Sequence, residues 1–109
     1  MRVINKDLTI LELSAKTADF DTKAGNGVAV RDFRELSIMV DVQAITGSMS
    51  VQPIVKHPHT DNWCNLGTPV AITATGVYKI DLTNFGSNIA VDVSLTGTSS
   101  LAIGAVGKV

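Results

Sequence analysis

The chain has 109 residues, 45% of them hydrophobic and 17% charged, with a formal net charge of −1. That length suits one domain with enough apolar mass to bury a core unaided, and it excludes bulk disorder. No apolar run nears the ~20 residues of a membrane helix, the near-neutral charge offers no field for nucleic acid, and a lone cysteine (Cys64) excludes a disulfide framework.

Residues 1–8 mix Arg2, Asn5, Lys6 and Asp7 with Val3, Ile4 and Leu8. No apolar leader core follows Met1. The segment is expected to form an N-terminal arm, with the folded domain spanning 9–109. Such a mixed terminus frays in isolation or orders against a partner.

Beyond it the residue choice points to strands. Val, Ile and Thr number 13, 9 and 11, about three residues in ten, and their stiff side chains suit a pleated surface. Thr9–Ala15 is a first candidate strand. Gly25-Asn26-Gly27 supplies residues that accept positive φ, and Arg31–Glu35 is a charge-balanced start to the next strand. From Leu36 to Ala44 the alternation is clear: Leu36, Ile38, Val40, Val42 and Ala44 share one face, with Ser37, Asp41 and Gln43 opposite. Met39 alone breaks it. Thr46-Gly47-Ser48 reads as a hairpin tip. Met49, Val51 and Val55 then alternate with Ser50, Gln52 and Lys56, and Pro53 suggests an edge strand or a bulge.

After the polar loop His57–Asn62 come Trp63, then Tyr78, Ile80 and Leu82 against Lys79 and Asp81. Ile89, Val91, Val93 and Leu95 repeat the rule, and Thr96–Ser99 reads as another tip. Leu101–Val109 is a weaker strand because of Gly104 and Gly107. Val40-Asp41-Val42 leading to Thr46-Gly47 echoes Val91-Asp92-Val93 leading to Thr96-Gly97, as two equivalent hairpins would. The expected fold is all-β: a single-domain antiparallel β-sandwich, jelly-roll-like, of about eight short strands.

Motifs for chemistry are sparse. His57, His59, Asp61 and Cys64 are metal-ligand types, but Pro58 and the Thr60-Asp61-Asn62 turn favour a solvated loop, and no metal or other cofactor is expected. No Gly-x-Ser-x-Gly elbow and no phosphate-binding glycine loop occurs, so no enzyme is expected. The acidic residues alternating along strands read as a solvated sheet face. Trp63 reads as a core anchor. The alternative is a sugar-stacking platform formed with His57, His59 and Asn62.

The order Phe33-Arg34-Glu35-Leu36-Ser37, a long strand to Thr46-Gly47, a polar loop into Trp63, Leu66-Gly67, Ile72–Tyr78 and Leu82–Gly86 resembles a group of small β-sandwich virion proteins of tailed bacteriophages. The resemblance covers roughly residues 28–106. It departs from them before the tryptophan, where Lys56–Asn62 replaces a Ser/Pro-Asp-Gly-like turn.

The resemblance implies a virion structural protein, and specifically a capsid decoration (cement) protein on the capsid exterior, made in the host cytoplasm. It implies the major capsid protein as partner and self-association as a homotrimer, with no nucleic acid and no membrane. Arg2, Ile4, Asn5 and Lys6 are then the candidate partner contacts. The alternatives are a carbohydrate- or host-binding accessory module using the His57–Trp63 loop, and a head–tail or tail component assembling as rings.

Overall fold

A computed structural model describes residues 5–83 and 85–109. Eight strands form one antiparallel sheet: β1 (Asn5–Lys16), β2 (Phe20–Asp21), β3 (Val28–Ala29), β4 (Glu35–Lys56), β5 (Trp63–Asn65), β6 (Val70–Ile72), β7 (Gly76–Leu82) and β8 (Asn88–Lys108). A 3-10 turn, Ala24–Asn26, lies between β2 and β3. The expected all-β class and strand number hold. Two strands, however, are long, at 22 and 21 residues.

Those two strands organise the molecule. β4 and β8 pair along almost their whole lengths, from Glu35↔Lys108 to Val55↔Ile89. A straight strand as long as β4 would reach roughly 70 Å at about 3.3 Å per residue. The longest dimension of the protein is 43 Å. The ribbon therefore folds over on itself.

The corner lies where Gly47 faces Gly97. Their φ angles are +80° and +101°, and a Cβ on Gly47 would sit 2.0 Å from the Thr96 carbonyl oxygen, one on Gly97 2.2 Å from that of Thr46. Only glycine fits at either position. Beside the pair, the Thr46 and Thr98 hydroxyls share a 2.8 Å hydrogen bond, and the Thr98 N–H donates to Thr46 Oγ1. A bulge between Val42 and Ala44 adds local twist. Buried Ser99 donates its hydroxyl to the Ala44 carbonyl at 3.0 Å, satisfying the irregular backbone there.

Thr46–Ser48 and Thr96–Ser99 are thus the middles of two long strands, paired with each other. The hairpin-tip reading of both is corrected. Glycine flanked by hydroxyl residues signals a turn and a sharp bend alike. The sequence echo marks corresponding positions on the two arms of one ribbon. Its one-residue difference in spacing is the bulge at Gln43.

The flanking strands change partners at the corner. On one side, β4 residues 36–42 pair with β7 and β8 residues 99–108 pair with β1, giving a first layer ordered β1-β8-β4-β7. On the other, β8 pairs with β2 and β3, and β4 pairs with β6 and β5, giving a second layer. The inward residues of both layers form one buried cluster. It includes Leu36, Ile38, Val40, Leu101 and Ile103 from the first layer and Met49, Val51, Ile89, Val91 and Val93 from the second. Each fully buried aliphatic side chain contributes roughly 1.5–3 kcal/mol. Phe33 lies over Gly107 and closes one end; a Cβ at Gly107 would sit 2.6 Å from its ring.

Pro53 is buried in a central strand, opposite Val91, not on an edge or in a bulge. Val91 spends its N–H and carbonyl on Thr22, away from β4. Pro53 therefore stands in a non-hydrogen-bonded pair, with its nitrogen toward the break between β6 and β5, where no ladder bond is lost.

Candidate functional site

The loop residues singled out by sequence close a tight connection between β4 and β5. The His57 N–H donates to the Asn62 carbonyl at 2.9 Å, the His59 N–H donates to His57 Nδ1 at 3.1 Å, and the Asn62 N–H donates to Thr60 Oγ1 at 3.3 Å. The two imidazoles stand edge to face, 6.1 Å apart. A mostly apolar groove of about 370 Å³ opens beside this loop. His57, Asn62 and Trp63 line it together with Val55, Pro58 and Gly86; His59 does not.

Trp63 opens β5 half-buried, and its ring tip reaches the backbone of Gly27, 3.1 Å from where a Cβ would stand. It is thus a packing anchor between β5 and the β2–β3 connection and also one wall of the groove. Gly27, with φ +68°, leaves room for it. Among the described residues, no three of His, Cys, Asp and Glu converge as a metal-binding group. Chemically, the groove offers an apolar floor with an amide and an imidazole at its rim.

Of the candidate partner contacts, Arg2 and Ile4 lie outside the described residues. Asn5 and Lys6 are exposed and begin β1, opposite Lys108 and Gly107 of β8. The boundary drawn after residue 8 falls inside this strand, whose register runs unbroken from Asn5 to Thr9.

A second polar cluster crosses the outer face of the first layer and was not anticipated. Ser37 on β4 donates its hydroxyl to Asp81 Oδ1 on β7 at 2.7 Å, and Lys79 Nζ lies 3.5 Å from the same oxygen. Near the strand ends, Lys108 Nζ lies 3.3 Å from Glu35 Oε2. An open cleft of about 270 Å³ runs between these pairs. The Ser37 hydrogen bond, aided by the Lys79 and Lys108 charges, holds the Asp81 carboxyl below its ordinary 3.8 against an opposing desolvation. These residues alternate along their strands as solvated positions do. The register of β4 against β7 brings Ser37 to Asp81, and that of β4 against β8 brings Glu35 to Lys108; neither register is visible in the sequence.

These observations define the protein as an all-β sandwich made from one folded-over sheet. No protein-family model and no curated protein matches the sequence. Among solved structures, the fold is similar to the SPBc2 prophage-derived protein YomS, with a TM-score of 0.69 and 14% identity over 100% of this chain and 96% of that one. It is also similar to a chain in the structure of infectious bursal disease virus Gx strain, with a TM-score of 0.50 and 12% identity. There, this chain spans 33% of the viral chain's length. The likeness at these identities is one of fold, shared with a prophage-derived and a viral protein.

Proposed function

We propose that the chain is a structural subunit of a phage virion, and specifically a capsid decoration (cement) protein. In this reading it sits on the exterior of the shell, joins neighbouring copies of the major capsid protein, and associates with itself as a homotrimer. It acts by contributing surface, without turnover, cofactor, nucleic acid or membrane. The supporting observation is the likeness in fold to a prophage-derived protein over essentially both chains. A corner pinned by paired glycines, paired threonines and a capped bulge suits a rigid plug. Many weak contacts of such plugs sum across a shell.

The test is co-sedimentation with empty shells of the parent phage. Saturable binding at a fixed ratio to the shell subunit is expected. A protein that stays in the supernatant at every concentration contradicts the reading.

The groove beside Trp63 favours a second reading, a carbohydrate-binding accessory module using Trp63, His57 and Asn62. It predicts a saturable change in tryptophan fluorescence with added glycans, which the cement reading does not. A head–tail or tail component would instead assemble as rings.

A further inference from the structure

The two layers treat their edges differently. In the second layer, the strands beside β8 are two residues long, and side chains supply the missing acceptors: Asp19 Oδ1 takes the Leu95 N–H at 2.7 Å and Thr22 Oγ1 takes the Val91 N–H at 2.9 Å. Short, interrupted strands of this kind make poor templates for another chain. In the first layer, β1 and β7 are continuous strands, and among the described residues no strand pairs with the outer edge of either. Both edges also leave apolar inward residues half-covered: Leu8 and Ile10 on β1, Tyr78 and Ile80 on β7.

We propose that the β7 edge of one copy pairs with the β1 edge of the next, so that copies join head to tail through a continued antiparallel sheet. Strand directions permit it. In the order β1-β8-β4-β7 every neighbour is antiparallel, so β1 and β7 run oppositely and a following β1 continues the alternation. The pleat permits it too. Leu8 and Ile80 both face inward, while Asp7 and Lys79 both face outward, beside Val106 and Met39 respectively.

Placing Asp7 opposite Lys79 sets Asn5 against Asp81, Leu8 against Tyr78, and the Lys6 stem over Ile80. This register gives an opposite-charge pair on the outer face and apolar contact on the inner. It uses the unbroken Asn5–Thr9 stretch, before the bulges that follow Thr9. A head-to-tail contact consumes both open edges, and three copies closing on themselves would make the homotrimer of the proposed function.

The inference rests on the self-association part of the proposed function, and can be tested without any shell. Sedimentation velocity over a concentration series is run on the parent, Asp7→Lys, Lys79→Glu and the double variant, with circular dichroism as a folding control. The parent is expected to self-associate, each single reversal to weaken association roughly five- to tenfold, and the double variant to recover most of the loss. Should one single variant fail to fold, the other reads the same contact from the opposite edge. A parent that stays monomeric overturns the contact. So does an assembly sensitive to only one reversal, which marks a symmetric β1–β1 or β7–β7 pairing. Shell binding by a protein that fails these tests would leave the cement reading standing and remove only this contact.

Discussion

The two layers are built on the same pair of strands, yet one ends in side-chain caps and the other in open backbone. In the second layer, Asp19 and Thr22 do the work of a strand, and β5 and β6 are broken around Pro53. In the first, β7 runs in regular register and β1 does so from Asn5 to Thr9, beside a charged outer face. The contrast separates two tasks. One end of the ribbon has short, interrupted edges, and the other has the longer edges on which the proposed pairing between copies would rest.

Breaking the ribbon itself erases the contrast, so the largest effect is expected at the corner. Gly47→Ala should destabilise by about 3–5 kcal/mol, combining a disfavoured φ with a collision against the Thr96 carbonyl. Chemical denaturation measures it, and a cost within error of zero would mean the corner relaxes freely. Next come the caps of the second layer. Asp19→Ala leaves the Leu95 N–H without its acceptor and should cost about 1–3 kcal/mol, with faster hydrogen exchange at Leu95. Unchanged exchange there would show that the cap is dispensable.

The first layer's outer charges should matter least to stability. Lys79→Ala, at an exposed pair, is expected to change unfolding free energy by no more than about 0.5 kcal/mol. Any larger loss would make that face part of the folding core. The Asp81 carboxyl titrates below 3.8 in the folded chain, so its favourable contacts are present above that value and fade as pH falls through the folded midpoint. Following the Asp81 carboxyl by NMR, Ser37→Ala should move the midpoint up toward 3.8. A midpoint unmoved by Ser37→Ala would assign the shift elsewhere.

Much of the sheet was legible because burial imposes a period of two. Leu36, Ile38, Val40 and Val42 and the set Ile89, Val91, Val93 and Leu95 are all buried as the alternation required. Gly25, Asn26 and Gly27 all adopt positive φ, as their types suggested. The corner was misread because a glycine between hydroxyl residues serves a turn and a mid-strand bend equally well. Which one forms depends on a partner glycine far along the chain.

The same limit governs the candidate sites. His57, Asn62 and Trp63 are close in sequence, and their convergence on one groove was readable. The Ser37–Asp81 pair joins strands whose paired residues lie 44 positions apart, with β5 and β6 between them. Alternation told which face each residue takes, and only pairing told who stands opposite.

In the proposed role this polypeptide serves as a fitted part of a larger particle. If the proposed virion role holds, an electron-microscopy map of purified particles from a phage carrying this sequence tests it most directly. Sandwich-shaped density is expected on the outer shell surface, touching several shell subunits. Mature particles that lack the protein, yet match the shell stability of those from normal infection, would contradict it.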